Sequence, residues 1–534
     1  MNKKEINKKK ISFISAIFLV LGSTIGAGIF LKNGEILGNV GESLILTLIS
    51  WFFSIIAVIC MGISLSEIAS ADTKSNLGII SWVKTFCHKY LYKFAKNFMA
   101  YLYLPINFFI MPYYAIMMIQ DAFGWQMQWW VVVLISFGIS TWFFIVSGIS
   151  VSAGNIQNLI ITSVKFIPVA FCAFVGFILF FCKQSQTPDI FPSTNYDSSG
   201  HKLVGQIIPM LGIIGSIPAI MFSFDGFYTV AGIQSEMKEP HKTATSIVVG
   251  LVIVSIIDII ISISLLLGSF DGRVNSLSWF TEHNAHWVIA IIELIIGIGI
   301  FGIINSFAIY NPRYYEDLIK INDLPFSKSL KNKLNSNKPI IGLLYSSVIT
   351  IVFFIVLTII GLFGYTDTMG YRNTEMVSII GNISKGYDSL TGNHLSSLYS
   401  FCDLMANWTG IIIFLCLVFA LIGGIINRKT NKIKVNKVKG FLFCSYLASV
   451  VIIISMVFIL VTTIGNIPLA FSWKSDIGKQ IGDVTYEKID WLNDVIGSII
   501  TLVVLIIFVI ICCVPSYFEI HNENKLQKLS KARK

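Results

Sequence analysis

The sequence predicts an all-α membrane protein with twelve transmembrane helices. Of its 534 residues, 55% are hydrophobic and only 13% are charged, a balance that soluble globular domains do not have. The apolar residues gather in runs of about 20, the length that crosses roughly 30 Å of hydrocarbon as a helix. Lys and Arg concentrate in alternate connecting segments, as expected of a chain that crosses a membrane repeatedly.

Twelve apolar runs are long enough to span a bilayer. The predicted spans are 11–31, 43–66, 98–119, 129–149, 156–182, 206–233, 244–268, 286–311, 339–363, 396–426, 440–465 and 492–514. The first five spans and the next five form two candidate repeats, at about 11–182 and 206–426, and two extra helices follow at about 440–514. Because every connecting segment is short, residues 11–514 are predicted to form one membrane domain between polar tails, 1–10 and 515–534.

The basic excess is interpreted as an orientation signal. A formal charge of +10 would suit a nucleic-acid partner, but Lys and Arg cluster in the N-terminal tail, after spans 2, 8 and 10, and in the C-terminal tail. All of these segments lie on one side of a twelve-span topology, and the other side holds only scattered cations such as Lys32. The positive-inside rule therefore predicts a plasma-membrane protein with both termini in the cytoplasm and no nucleic-acid partner.

Two spans contain sequences that interrupt a helix. Span 1 includes GSTIGAGIF (22–30), and span 6 includes FSFDGF (222–227), with an acid beside a glycine. Two broken hydrophobic segments in corresponding positions are typical of an inverted repeat with a binding site near the bilayer midplane. Unwound backbone cannot face lipid, so it must face a cavity or a ligand. The alternative is that these glycines only allow close helix packing.

The interrupted segments suggest the ligand. Amides at Gly26, Ala27 and Gly28 would form the positive end of a half-helix, which suits a carboxylate. Carbonyls at Thr24, Phe222 and Asp225 would accept hydrogen bonds from an ammonium group. A small molecule with both groups close together is an α-amino acid. The predicted substrate-binding residues are Thr24, Ile25, Gly26, Ala27, Gly28, Phe222, Phe224, Asp225 and Phe227.

Five motifs in order resemble those of the amino acid–polyamine–organocation superfamily of transporters. They are GSTIGAGIF, SEIAS (66–70), VSAGNIQNLIITSVKFIP (151–168), IPAIMFSFDGFYTVAGIQSEMKEPHKTA (217–244) and NSFAIYNPRYYEDLIKINDLP (305–325). The resemblance implies a five-plus-five inverted repeat with discontinuous helices 1 and 6, alternating access, and a substrate that is usually an amino acid. It also implies an aromatic gate at Phe222. Two departures are Ala27, where the family often has Ser, and a loose match over 72–82.

Lys165 is a cation within span 5, where an ammonium must be paired or face water. In similar transporters a Lys at this position stands where sodium-coupled relatives hold a metal ion, so the resemblance implies sodium-independent transport. Two roles stay open. Lys165 either loads and releases a proton, or it is a fixed electrostatic tie between helices 1, 5 and 8. The first favours proton-coupled uptake, and the second suits amino acid exchange.

The acidic residues near the membrane have several candidate roles. Asp225 either pairs with a substrate cation or caps the second half of helix 6. Glu67 and Glu236 lie at cytoplasmic helix ends, where they are predicted to be inner-gate residues or loop anchors. Asp258 and Glu293 are intramembrane carboxylates, which are functional candidates by default, although neither matches a family motif.

The other residue types give predictions about the pocket, the packing and metal binding. Tyr113 and Tyr114 either line the pocket or only pack, and Asn305 and Arg313 are interpreted as structural. The histidines fall in loops or at helix ends and the cysteines show no CxxC spacing, so neither a metal site nor a cofactor is predicted. The alternatives to a transporter are an amino acid sensor with the same fold and, less favoured, a membrane-embedded enzyme.

Overall fold

The computed structural model consists almost entirely of helices. It describes residues 12–71, 77–185, 187–191, 205, 207–228, 237–239, 242–269, 272–274, 276–334, 338–365, 389–481, 484–485 and 487–532. Within these ranges the strands are β1 (Gln480–Ile481) and β2 (Val484–Thr485), which pair antiparallel as a small hairpin between the last two long helices.

The helices follow the apolar runs of the sequence. In chain order they are α1 (Phe13–Thr24), α2 (Ala27–Asn39), α3 (Leu44–Ala69), α4 (Ile79–Phe86), α5 (Lys89–Phe98), α6 (Leu104–Phe123), α7 (Trp129–Ile149), α8 (Val151–Phe181), α9 (Pro209–Ser223), α10 (Thr243–Gly268), α11 (Ser278–Glu282), α12 (His286–Lys320), α13 (Ser327–Leu330), α14 (Ile340–Ile359), α15 (Ser389–Thr430), α16 (Phe441–Ser472) and α17 (Lys488–Ala532). Single π-helical turns join α5 to α6 at Met99–Tyr103 and extend α14 at Ile360–Gly364. Short 3-10 turns follow α13 at Lys331–Lys333 and α16 at Trp473–Asp476.

Ten helical stretches among the described residues are long and apolar enough to cross a membrane, and they coincide with all the predicted spans except 1 and 6. Span 1 is a pair of helices, α1 and α2, bent by 48° at a short break, and it makes an eleventh crossing if the pair is counted as one. Only the first part of span 6 is described, as the short helix α9. The multi-pass helical architecture is therefore confirmed, and a count of twelve crossings stays a prediction.

Two of the predicted boundaries that differ from the structure lie where charged residues are paired. Helix starts at Lys89 rather than at residue 98, since α5 continues through a π-helical turn into α6. At the other end of the chain, α17 does not stop at residue 514 but continues to Ala532. The polar ends of α5 and α17 pack against each other and bury one another's charges.

A cluster of ion pairs holds these two ends together. Lys96 Nζ lies 2.6 Å from Glu519 Oε2 and donates to the main-chain carbonyl of Asp323 at 2.8 Å. Lys93 pairs with the Asp323 carboxylate and lies 3.0 Å from Glu519. Burial alone would raise the pKa of the Asp323 carboxyl, but Lys96 and the hydrogen bonds from Lys93 and Tyr92 hold it below its ordinary value. We call Lys93, Lys96, Asp323 and Glu519 the Asp323 cluster.

Small residues allow the central helices to approach closely. On α12, Gly297 faces the Ala115 carbonyl of α6, and a Cβ at Gly297 would lie 3.1 Å from that oxygen. Asn305 of α12 donates to the Gly154 carbonyl at 2.8 Å and lies 2.5 Å from the Ser147 hydroxyl, which ties α12 to α7 and α8. These contacts are consistent with the structural role predicted for Asn305.

Glu67 anchors a loop in the structure. Its carboxylate accepts two hydrogen bonds from Arg428, at 2.7 and 2.6 Å, and one from the Val438 amide at 2.8 Å. Glu67 is buried at the end of α3, while Arg428 is near the end of α15. Of the two roles predicted for Glu67, inner-gate residue or loop anchor, these bonds favour the anchor.

We expect Glu67→Gln to destabilise the protein by about 3 kcal/mol, because it leaves Arg428 partly buried without its counter-charge. The measurement is the unfolding midpoint in detergent. Lys320→Gln, which removes an exposed helix-surface pair with Asp317, serves as the matched control and should leave the midpoint almost unchanged. Equal midpoints for the two variants would contradict a stabilising role of the Glu67–Arg428 pair.

Candidate functional site

The first helical span is broken at Ile25 and Gly26. α1 ends at Thr24, and the Ile25 amide still donates to the Leu21 carbonyl at 3.0 Å. Gly26 then takes an extended conformation, with φ −160° and ψ −141°, and α2 begins at Ala27. Since Gly26 has no side chain, it cannot cap the amides of the first turn of α2. Those amides and the carbonyls at the end of α1 are the groups that a broken helix leaves for a ligand.

The second break lies at the end of α9. The helix ends at Ser223, and the chain turns through Phe224 and Asp225 to Gly226, whose φ is +96°. Glycine suits this position because side-chain-bearing residues rarely adopt that backbone conformation. The interruption occurs within FSFDGF, and the residues that would form the second half of this span lie outside the described part of the chain.

The two breaks lie directly against each other. A Cβ on Gly28 would lie 2.5 Å from Ser223 Cα, and a Cβ on Gly226 would lie 2.8 Å from the Ser23 carbonyl oxygen. Gly28 and Gly226 therefore allow the two segments to pack closely, and Gly226 also takes the backbone conformation that turns the chain after α9. As a result, the main-chain groups of residues 23–28 and 222–226 occupy one region of the protein.

Lys165 reaches this region from α8. Its ammonium donates to the carbonyl of Gly22 and, at 2.8 Å, to that of Ile25. The side chain is buried, and a Cβ on Gly299 of α12 would lie 3.2 Å from Lys165 Cβ. No carboxylate of the described residues lies within ion-pair distance of this ammonium. Lys165 thus binds carbonyls at the break and connects α1, α8 and α12.

Asp225 belongs to a buried group with two tyrosines, which we call the Tyr103 cluster (Tyr103, Asp225 and Tyr228). One carboxylate oxygen accepts from the Tyr103 hydroxyl at 2.6 Å. The other accepts from the Tyr228 hydroxyl at 2.7 Å and from the Gly226 amide at 2.8 Å. The two hydroxyls also contact each other, and Phe307 packs on the Tyr103 ring. Three donors therefore satisfy this carboxylate within the protein.

A second buried group surrounds Lys32, and we call it the Lys32 cluster (Lys32, Glu35, Tyr114, Asp403 and Asn407). Lys32 Nζ lies 2.8 Å from Glu35 Oε2 and 2.6 Å from Asp403 Oδ1. The Tyr114 hydroxyl donates to the same Asp403 oxygen at 2.5 Å, and the Asn407 amide donates to Glu35 at 2.6 Å. The cluster connects α2, α6 and α15 and carries one positive and two negative charges.

The sequence interpretation missed the Lys32 cluster. A span that ends at residue 31 puts Lys32 in an external loop, whereas α2 continues to Asn39 and the lysine is fully buried. The spacing of Lys32 and Glu35 was a sequence signal for this cluster, because residues three apart lie on one face of a helix. The partners Asp403 and Asn407 come from a helix almost 400 residues later, and no local pattern connects them.

Phe222 lies between the break and the Lys32 cluster. The Lys32 ammonium is 5.6 Å from the centre of the Phe222 ring, and the Tyr114 ring meets it edge-on at 6.2 Å. Tyr103 and Tyr114 lie eleven residues apart on one nearly continuous helix, or roughly 16 Å along its axis. The Tyr103 cluster and the Lys32 cluster therefore meet this helix at two separate levels.

The other predicted residues have the following positions. Phe224 packs edge-on against Trp51, and Phe227 packs against Phe414. The Tyr113 hydroxyl is 2.9 Å from that of Thr358, away from the Lys32 cluster that holds Tyr114. Glu236 and the side chain of Ala27 lie outside the described part of the structure.

The sequence matches the amino acid permease family over residues 11–478. The chain belongs to the amino acid permease family. The permease is thus a multi-pass membrane transporter of amino acids rather than an enzyme, and the resemblance to amino acid transporters seen in its motifs is confirmed.

Individual proteins similar to the permease include an uncharacterized protein of Mycoplasma pneumoniae, 36% identical over 96% of this chain and 94% of that protein. The serine/threonine exchanger SteT of Bacillus subtilis is 25% identical over 61% of this chain and 71% of its own length. Among solved structures, the crystal structure of the Eremococcus coleocola manganese transporter is similar over 97% of both chains, with 13% identity and a TM-score of 0.46.

Gly28→Ala tests the contact between the two breaks. The added methyl group would overlap Ser223 main-chain atoms, so we expect the permease to lose stability and its initial rate of amino acid transport to fall. The control is Gly138→Ala in α7, where a Cβ would meet nothing within 4 Å and where alanine favours the helix by up to ~1 kcal/mol. Wild-type stability and transport in Gly28→Ala would show that the two segments are not in close contact.

Proposed function

We propose that the permease carries small amino acids across the plasma membrane by alternating access, without sodium, either coupled to protons or by exchange. The observation that carries this proposal is the contact between two broken helices, with Lys165 bound to carbonyls at one of them. The proposed topology has twelve spans, with two inverted five-helix repeats followed by two extra helices, and both termini in the cytoplasm.

Main-chain groups at the breaks are the proposed substrate ligands. The amides of Gly26, Ala27 and Gly28 are at the positive end of α2, and they would bind the substrate carboxylate. The carbonyls of Thr24, Phe222 and Asp225 would accept from the ammonium group. Because residues 23–28 pack directly on 222–226, one small zwitterion would reach both sets.

Sodium independence is supported by the position of Lys165. Its ammonium already donates to two carbonyls that would otherwise be ligands for a cation. Carbonyl acceptors favour the charged form of an amine, so we propose that Lys165 stays protonated as a permanent substitute for a metal ion. On this account it is the fixed tie between helices rather than the residue that exchanges a proton.

The Lys32 cluster and the Tyr103 cluster are the proposed gates. In the predicted orientation, the Lys32 cluster lies between the breaks and the outside, with Phe222 as the aromatic part of the gate. The Tyr103 cluster lies between the breaks and the cytoplasm. Alternating access would require that one cluster separates while the other stays closed, since opening both would connect the two sides through the site.

We propose small neutral amino acids as substrates, and serine and threonine as the first to test. All three donors to Asp225 come from the protein, so its carboxylate is already satisfied and is less suited to a cationic substrate side chain. The serine/threonine specificity in the name of the Bacillus subtilis relative favours the same choice.

Counterflow in proteoliposomes tests the proposed function. Vesicles that contain the purified permease and unlabelled serine should take up labelled serine or threonine without sodium and without a pH gradient. Lysine, arginine and leucine complete the panel. Binding without counterflow would favour an amino acid sensor of the same fold, and uptake that requires sodium would contradict the role proposed for Lys165.

Lys165→Ala should lower the initial counterflow rate more than about tenfold, which corresponds to a loss of at least ~1.4 kcal/mol. The reason is that carbonyls at the break lose their buried donor. Lys479→Ala, which removes an exposed lysine, is the matched control and should transport normally. A Lys165→Ala variant with the wild-type rate would refute the proposed role of the ammonium.

A further inference from the structure

Asp258 is a buried carboxylate with no hydrogen-bond donor among the described residues. Both of its side-chain oxygens lack a partner, and the residue is 1% exposed. It lies in the middle of α10, and no other residue of Thr243–Gly268 is charged. Buried polar groups in folded proteins are nearly always satisfied, so this acid requires an explanation.

Asp258 lies on the face of α10 that meets α3 and α2. Leu251, Ser255, Asp258 and Ser262 are spaced three or four residues apart and therefore share one helix face. Leu251 lies against Gly62 of α3, where a Cβ would be 2.9 Å from the Leu251 Cδ1 atom. Ser262 donates to Asn33 Oδ1 of α2 at 3.0 Å. Asp258 is thus between a contact with α3 and a contact with α2.

Other buried polar atoms without partners lie at the same depth. From the contact between Gly62 and Leu251, Ser54 is about 12 Å away along α3. Asp258 is about 10 Å away from the same contact along α10, so Ser54 and Asp258 lie at nearly the same height. The Ser54 hydroxyl, the Trp51 indole N–H, the Ser255 hydroxyl and the Asn33 side-chain amide nitrogen all lack partners among the described residues. We call Asp258 and these four residues (Asn33, Trp51, Ser54 and Ser255) the Asp258 cluster, and none of their unpartnered atoms hydrogen-bonds to another.

The Asp258 cluster is next to the substrate region. Val20 of α1 packs on Gly250 of α10, and Thr24, one turn further along the same face of α1, has a buried hydroxyl without a partner. Trp51, a member of the cluster, packs on Phe224 at the second break.

Among the described residues, the charges on the helices around α10 do not provide a counter-ion for Asp258. Lys165 of α8 binds the break carbonyls, and Lys32 of α2 pairs with two carboxylates. α1 contains no charged residue, and the one in α3, Glu67, pairs with Arg428 at the far end of the helix. Arg273, which follows α10, packs against Gly34 of α2. An ionised Asp258 would be costly in this setting, so its charge must be neutralised by something that binds to it.

A proton fits this site better than a metal ion. The described part of the chain holds no group of three or more His, Cys, Asp or Glu residues that could bind a metal ion. A metal ion needs several such ligands, whereas a proton needs only one oxygen of the Asp258 carboxylate.

Building on the proposed transport of amino acids, we propose that Asp258 carries the coupled proton. Its carboxylate takes one proton from water on the side where the site is open, and an O–H bond forms. The neutral acid crosses the conformational change together with the bound amino acid, and the proton returns to water on the other side as that bond breaks. Lys165 stays charged throughout this cycle.

The test uses proteoliposomes with the full-length permease and an amino acid that is active in counterflow. With the outside one pH unit more acidic and the membrane potential clamped, coupling to one proton supports up to about tenfold accumulation. We expect wild type to accumulate the labelled amino acid, whereas Asp258→Asn reaches only an inside-to-outside ratio of about one but keeps counterflow at equal pH. Glu293→Gln, a buried carboxylate on α12, is the matched control and should accumulate as wild type does.

Each other outcome overturns the proposal and has a distinct meaning. Full accumulation by Asp258→Asn shows that another group carries the proton. Wild-type counterflow without accumulation shows an obligatory exchanger, in which case the proposed transport stands and the proton site does not. Accumulation driven by a sodium gradient and lost in Asp258→Asn identifies a cation site. If the Asn variant does not fold, Asp258→Glu is used instead. It must retain pH-driven accumulation, and an Asp258→Glu variant that folds and keeps counterflow but does not accumulate overturns the proposal.

Discussion

A main-chain carbonyl that faces hydrocarbon without a donor costs several kcal/mol, and this constraint governs the centre of the permease. The carbonyls of Gly22 and Ile25 meet it by accepting from Lys165. The break in span 1 can persist only because this buried ammonium, and the second break packed against it, replace the bonds that a continuous helix would make. Lys165 in turn has a low-energy position within the membrane because the break supplies its acceptors.

Several buried charges among the described residues are paired with opposite charges. Glu67 pairs with Arg428, the Asp323 cluster ties the ends of α5 and α17, and the Lys32 cluster joins α2 to α6 and α15. Buried ion pairs contribute little net stability, because desolvation offsets the attraction, but losing one partner is costly. Such pairs suit a protein that must separate and re-form contacts. Asp258 differs from them because its neutral form needs no opposite charge.

The sequence predicted the helical membrane fold well because that signal is local. Runs of apolar residues locate ten long helices, and glycine-rich breaks locate the ends of α1 and α9. Helix ends were predicted less well, since Lys32, Lys93 and Lys96 interrupt hydropathy but lie inside helices when paired. The partners of Lys32 were not predicted, because Asp403 meets Lys32 only through tertiary packing. Asp258 was recognised as an intramembrane acid, but its neighbours on α3 and α2 required the structure.

Hydrogen exchange directly measures whether the backbone amides at the first break are exposed. In nanodiscs, amides of residues 26–28 should exchange faster than those of Val20 and Ile36 within the flanking helices, because the first turn of α2 lacks intrahelical acceptors. Addition of a transported amino acid should slow exchange at residues 26–28 and leave the flanks unchanged. Uniform, slow exchange from residue 20 to residue 36, with no effect of the amino acid, would contradict a broken helix that binds its substrate through the main chain.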